Sequence, residues 1–197
     1  MEGPQGRLSE THAYILAVIP PKVHLRPSHT RGETVLQAIG ESYFTLLELA
    51  PAPAAKTHPQ ERVSIEKSAT NKIEYVKRRL VYEDLTPESV AELPLVVEII
   101  VTKHERRFVQ FFNEAQPMTT RMHSLQLLQG IGQTLMWAIL EERKKERFKS
   151  FDDISTRIKL QNPKKAITAR IITELSDDTK RWLFVRPPSR NEEQPRR

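Results

Sequence analysis

The chain has 197 residues, of which 38% are hydrophobic and 28% charged, with a formal net charge of +6. That composition belongs to a globular protein of one large or two small domains and excludes a disordered chain. It has no cysteine, which excludes disulfides, thiol nucleophiles and cysteine-ligated zinc.

No apolar run approaches the roughly 18 residues of a membrane span. The N-terminus, MEGPQGRLSETHAYILAVIPPK, lacks the basic start, apolar core and cleavage site of a signal peptide. A cytoplasmic protein without a membrane partner is expected. The charge is uneven: 17 Lys and Arg against 10 Asp and Glu lie between Lys103 and Arg186. A basic excess of this kind favours a polyanionic partner.

In chain order, residues 1–11 and 188–197 are polar and aperiodic and read as loose tails. AYILAVIP (13–20) is a short apolar run stopped by Pro20-Pro21 and reads as a strand. ETVLQAI (33–39) and SYFTLLEL (42–49) flank Gly40-Glu41 as a hairpin would. PAPAAKTHPQ (51–60) is an irregular loop, and ERVSIEK (61–67) alternates Val63 and Ile65 with polar residues as a half-buried strand does. NKIEYVKRRLVYEDL (71–85) places Ile73, Val76 and Leu80 at helical spacing, with Lys72, Lys77, Arg78 and Arg79 around them. Thr86-Pro87-Glu88 is a helix start. Pro94 is expected to open a longer helix running to Ala115, and further helices are expected at 119–129, 133–146, 151–158 and 164–176. RWLFVRP (181–187) reads as a last strand, returning to the first-half sheet because an isolated strand is unstable.

The segment LLQGIGQTLMWAILEERKKERFKSFDDI (127–154) carries the chemistry. Two runs of helical character reverse direction through Gly130-Ile131-Gly132. Glycine takes positive φ freely and suits the end of a helix. The next helix opens near Gln133, where its first amides have no intrahelical acceptor and the peptide dipoles add partial positive charge. Amides of Gly130, Ile131, Gly132, Gln133 and Thr134 could therefore bind a phosphate, with Ile131 pinning the turn inward. Arg121, Arg143, Lys144, Lys164 and Lys165 would supply charge around it, and Lys72, Lys77, Arg78 and Arg79 form a second basic stretch. A glycine turn that only lets two helices pack is the competing reading.

The spacing of Leu125, Leu128, Gly130, Ile131, Gly132, Ile139 and Arg143 resembles the helix-hairpin-helix motif, and FKSFDDI (148–154) resembles the connector that follows it. Met136 departs from the small residue often found there. RIKLQNPKKAITARIITEL (157–175) resembles a second, degraded copy with Asn162-Pro163 in place of the glycines. The blocks LQAIGESYFTLLEL, VKRRLVYEDLTPESVAELP, RFVQFFNEAQPMTTRMHSL and GIGQTLMWAILEERK together resemble the archaeal domain-of-unknown-function 655 family over about residues 12–186. That resemblance implies an archaeal source, an OB-type barrel joined to a helix-hairpin-helix region, and the RNA-binding role generally suggested for its members. It supplies no catalytic residue.

The fold expected is α+β: a small OB-like β-barrel at 12–85, connecting helices at 86–115, an all-α helix-hairpin-helix domain at 116–178 and a C-terminal strand at 179–187 returning to the barrel. Tyr14, Tyr43 and Phe44 are the aromatic candidates on barrel strands for stacking bases. Asp152 and Asp153 fall where related glycosylases keep an aspartate, but Ser150 with Asp153 is a capping pair at a helix start. The six histidines form no metal-binding motif, His24 and His29 sharing only a proline-containing loop. No catalytic residue, metal or cofactor is therefore assigned. The expected function is non-enzymatic binding of structured or ribosomal RNA through backbone phosphates, by a monomer. Duplex DNA binding, or a protein–protein adaptor on the ribosome or RNA polymerase with a structural hairpin, is the alternative.

Overall fold

The computed structural model describes residues 10–21, 33–66, 71–177, 179 and 181–186. Residues 1–9, 22–32 (which hold His24 and His29), 67–70, 178, 180 and 187–197 lie outside them. The chain is α+β and divides into two compact units, one formed by 1–92 with the C-terminal segment from 184, the other by 93–183.

The first unit is built on five strands: β1 (His12–Ile19), β2 (Val35–Gly40), β3 (Leu46–Pro51), β4 (Arg62–Ser64) and β5 (Ile73–Arg79). Their order across the sheet is β4-β1-β2-β3-β5, and all four ladders are antiparallel. Alternate residues share a face, so Ala13 and Ile15, Leu36 and Ala38, and Leu47 and Leu49 meet Val63 and Ile73 in one core. The register shifts at Leu16 of β1, and at Lys77 and Glu74 of β5 opposite Glu48/Leu49 and Ala50/Pro51, bend those strands and curl the sheet. Among the described residues β4 and β5 share no ladder, which leaves a half-barrel. Lys72 and Glu61 pair beside these two edges.

The β1–β2–β3 part of the sheet follows the sequence pattern, and three other segments correct it. Residues 73–79 are a strand, not a helix. Ile73, Val76 and Leu80 satisfy a helical stripe, but β-branched and aromatic residues also suit an edge strand. Pairing with β3, from Leu47 opposite Arg79 to Pro51 opposite Ile73, decides the conformation. The basic run then does what charge does on a sheet edge, blunting it against further pairing.

Residues 10 and 11 are not tail. The Glu10 carboxylate accepts from the amides of Ser42, Tyr43 and Thr45 at 2.8, 2.8 and 3.2 Å, and Thr11 O accepts from Ile65 N at 2.9 Å. Among the described residues the C-terminal segment 181–186 forms no ladder. Within the first unit Phe184 and Val185 are buried and Arg186 N donates to Tyr43 O at 3.1 Å.

Gln37, fully buried, ties the sheet to the chain that follows it. Its Nε2 donates to Asp84 O at 2.8 Å and its Oε1 accepts from Thr86 N at 2.9 Å. Asp84 closes a one-turn 3-10 helix, Tyr82–Asp84, and Thr86 caps Ser89 N at the start of α1 (Pro87–Lys103), as the Thr-Pro-Glu signature predicts.

α1 runs through Pro94, which therefore does not open a helix. Pro94 lacks the amide that would bond one turn back, yet Leu93, Val96, Val97, Ile100 and Val101 bury the helix on both sides of it. The chain breaks at His104 instead (φ −108°, ψ 33°), and α2 (Glu105–Glu114) follows.

Beyond α2 the second unit departs from the pattern at one place. Residues 119–129 are not a helix. Strands β6 (Pro117–Thr119) and β7 (Met122–His123) make a two-stranded ladder and a 3-10 turn, Ser124–Leu127, comes next. His123 opens that turn: its Nδ1 accepts from Leu125 N at 3.2 Å while Gln126 Oε1 accepts from His123 N at 2.8 Å. Such i→i+3 structure is short-lived along a chain and yields here to the glycine turn. Helices α3 (Gln133–Lys145), α4 (Phe151–Ile158) and α5 (Pro163–Ser176) complete the unit.

Candidate nucleic-acid interface

The turn between the 3-10 segment and α3 uses its two glycines differently. Gly130 has φ +85°, in the left-handed region, where a Cβ is disfavoured. Gly132 is extended at φ −81° and ψ −175°, which any residue adopts. A Cβ placed on either glycine meets nothing within 4 Å. Gly130 is thus demanded by the backbone, whereas Gly132 only keeps the approach bare. Ile131 between them is 4% exposed and holds the turn to the core.

The amides of this turn are unequal. Ile131 N donates to Leu128 O at 3.1 Å and is consumed by the turn itself, which removes it from the expected set. Among the described residues no acceptor takes the amides of Gly132, Gln133 or Thr134. Gly132 is the N-cap and brings no side-chain acceptor. By contrast, Ser150 caps Asp153 N at 3.1 Å on α4 and Asn162 caps Lys165 N at 2.9 Å on α5. The α5 start therefore fills its own mouth, which explains how the second hairpin-like segment dispenses with glycine. Lys159, left-handed at φ 54°, makes its reversal.

Beside the open turn lies a depression of about 640 Å³ bounded by residues 126–132 and by Ala169, Arg170 and Thr173 of α5. Arg170 is 8% exposed. Its Nε donates to the fully buried Glu174 at 2.7 Å and its Nη2 to Arg181 O. No described residue accepts from its Nη1. Glu174 also accepts from Leu183 N at 2.9 Å. A fixed guanidinium thus borders the same depression as the bare turn. The sequence offered no signal for it beyond one cation inside an apolar helix. Arg181 donates through Nη1 to Met122 Sδ at 3.0 Å, next to Arg121 in the chain.

The other cations expected at the site divide by what already holds them. Arg143 Nη1 donates to Phe112 O at 3.1 Å and Ala115 O at 2.9 Å; it closes the C-terminus of α2, where a cation is favoured. Burial lowers its pKa below the ordinary arginine value. Arg157 does the same for α3, reaching Glu142 O at 2.7 Å and Glu146 O at 2.8 Å while lying over the Phe148 ring.

Lys144 pairs with Glu141 at 2.9 Å, and Lys164 with Glu98 at 2.9 Å. In the first unit Lys72 pairs with Glu61, Lys77 with Glu33 at 2.9 Å, and Arg78 with Asp84 at 3.0 Å and Glu48 at 3.4 Å. Arg79 reaches Thr45 Oγ1 at 3.4 Å. Arg121 and Lys165 are exposed with no carboxylate partner among the described residues. Also among the described residues, no three metal-ligating side chains cluster and no helix is long and apolar enough to cross a membrane.

The connector after α3 is fixed from α2. Asn113 accepts from Phe148 N at 2.8 Å and donates to Phe148 O at 2.9 Å, and Glu105 accepts from Phe151 N at 2.6 Å.

A half-barrel unit and a helical unit with a bare glycine turn define the class: an α+β protein in which α3 starts without a side-chain cap and no metal-binding cluster forms among the described residues. The family model for a protein of unknown function, DUF655, matches residues 9–186. The chain belongs to that family. It is 42% identical over 179 residues to the uncharacterised protein MJ0038 of Methanocaldococcus jannaschii, covering 90% of this chain and 80% of that protein. It is similar to the crystal structure of Af1531 from Archaeoglobus fulgidus, a DUF655 structure, with a TM-score of 0.81 and 43% identity over 90% of this chain and 100% of that one.

Proposed function

We propose that this protein binds RNA, without catalysis, by taking a backbone phosphate at the start of α3. The observation that carries the reading is the bare mouth: the amides of Gly132, Gln133 and Thr134 have no acceptor among the described residues, and nothing lies within 4 Å of a Cβ at Gly132. Three amides at the positive end of a 13-residue helix favour an anion. Arg170, its charge balanced by Glu174, offers its Nη1 as a fixed donor beside the turn, and the exposed Arg121 and Lys165 would supply uncompensated charge. In this reading the 3-10 turn, glycine turn and α3 work as a helix-hairpin-helix grip with a shortened first helix. The half-barrel works as an OB-like module, its strand order β4-β1-β2-β3-β5 running through the same neighbours as a five-stranded barrel opened at one seam. Structured or ribosomal RNA fits a phosphate grip of this kind, since such contacts position a polyanion without reading its sequence.

The test is salt-dependent binding to a single-stranded RNA, an RNA hairpin and a DNA duplex. Affinity should fall with salt and should fall further when Gly132 is replaced by valine. Preference for the DNA duplex would move the reading to DNA. Binding that ignores salt and Gly132→Val would make the hairpin structural and favour a protein adaptor.

A further inference from the structure

We infer that Trp137 is a stacking platform for an unpaired base, so that the start of α3 selects single-stranded RNA over a duplex. This rests on the phosphate reading above and adds specificity to it. Trp137 is 55% exposed. The other described aromatic rings of its unit are not so placed: Phe108, Phe112, Phe148 and Phe151 are buried, and Phe111 and Trp182 are half-buried.

Its helical position gives the exposed ring a use. Trp137 is four residues after Gln133 and three after Thr134, two residues whose amides face the mouth. Side chains three and four apart share a helix face, and helical side chains lean toward the N-terminus. The indole therefore leans back toward the phosphate position. The buried residues of α3, Met136 and Ile139, lie on the other side, while Gln133, Glu141 and Lys144 share the exposed face with Trp137. Lys144 neutralises Glu141 at 2.9 Å, so the face does not repel a polyanion.

One helical turn rises about 5.4 Å, a span comparable with the reach from a nucleotide's phosphate to its own base. With the phosphate held by the amides and by Arg170, itself 8% exposed and bordering the same turn, the attached base can lie on the indole. Such stacking accepts any base but needs a free π-face. Bases inside a duplex are stacked on both faces, and proteins reach RNA bases mainly where they are unstacked. The occupant is therefore an unpaired nucleotide. A second copy of this chain is the other apolar partner that an exposed indole could meet.

The experiment uses the full chain with a Trp182→Phe background, so that Trp137 alone reports fluorescence. A twelve-nucleotide single-stranded RNA and a blunt-ended RNA duplex of equal phosphate content are titrated against the parent, Trp137→Ala, Trp137→Phe and Gly132→Val. The single strand should quench Trp137 fluorescence and the duplex should not. Trp137→Ala should weaken single-strand binding roughly tenfold or more, Trp137→Phe should keep most of it, and duplex affinity should change less than about twofold.

Loss in Gly132→Val with none in Trp137→Ala would overturn the stacking role and leave the phosphate reading standing. Equal losses on both RNAs would overturn the selectivity. No binding by any form would overturn both readings. Sedimentation showing a parent dimer that Trp137→Ala dissolves would make the face a contact between copies and overturn the inference.

Discussion

The Glu10 carboxylate occupies the space that a side chain on Gly40 would need. A Cβ built at Gly40 collides with Cγ, Cδ and Oε1 of Glu10, and that carboxylate accepts from three amides of the β2–β3 turn. Phe44, fully buried with φ 55°, sits in the same turn in a conformation that a bulky residue rarely adopts. Hydrogen bonds to a charged acceptor are worth about 1.5–3 kcal/mol each at most. Gly40→Ala should therefore lower unfolding free energy by roughly 1–3 kcal/mol by expelling Glu10. Glu10→Ala should cost a similar amount, and the double variant little more than either, because both remove one interaction. Urea unfolding of the four proteins measures this; additive losses would refute the shared mechanism.

The two glycines of the α3 turn should fail in different assays. At Gly130, with φ +85°, alanine is strained by about 1 kcal/mol or more, so Gly130→Ala should lower the melting temperature. At Gly132 the backbone is extended and the space open, so Gly132→Val should melt near the parent. Its branched side chain would stand in the mouth, and RNA affinity should fall roughly tenfold or more, the scale of losing a charge-assisted hydrogen bond. A stable, fully binding Gly132→Val would remove the mouth from the interface.

Cations should separate in the same way. Arg143 holds two carbonyls at the end of α2, and its removal leaves those acceptors without a donor. Arg143→Ala should lower stability by roughly 1–3 kcal/mol. Arg121→Ala and Lys165→Ala should leave stability within about 0.5 kcal/mol and each reduce the slope of log affinity against log salt by up to about 0.7 on a single strand. Thermal melts and salt titrations on one set of variants distinguish these outcomes.

What the sequence could reveal was what neighbouring residues decide. β1, β2 and β3 show apolar runs and turn residues in plain order, and the capping patterns at Thr86 and Ser150 lie within three residues of the amides they serve. β5 was not legible. Ile73, Val76 and Leu80 fit a helix as well as an edge strand, and the choice is made by β3, more than twenty residues earlier. The 119–129 segment failed for a related reason: an i→i+3 turn places Leu125 and Leu128 where a helix would place them. The glycine turn at 130–132 and the start of α3 near Gln133 could be read from spacing, since a helix start is a local object. The employment of Arg143 by Ala115, 28 residues away, and the placing of Arg170 beside the glycine turn are properties of the folded chain alone.

His123 gives the protein an acid-sensitive point. It is 5% exposed, its Nδ1 accepts from Leu125 N, and that bond places the ring proton on Nε2, which has no partner among the described residues. Burial, aided by the charge of Arg143, pulls its pKa below the ordinary histidine value of 6.5. A group with a depressed histidine pKa is neutral in the fold and takes up a proton on unfolding. The unfolded state then binds more protons near and below pH 6.5, so stability rises with pH across that window and falls as acid is added. Protonation in place would also cost the 3-10 turn its cap, because Nδ1 could no longer accept. The melting temperature should drop between pH 7.5 and 5.5. His123→Asn, whose side-chain oxygen can accept from Leu125 N, should reduce that drop. Parallel pH–stability curves for the two proteins would show that His123 is not the group responsible.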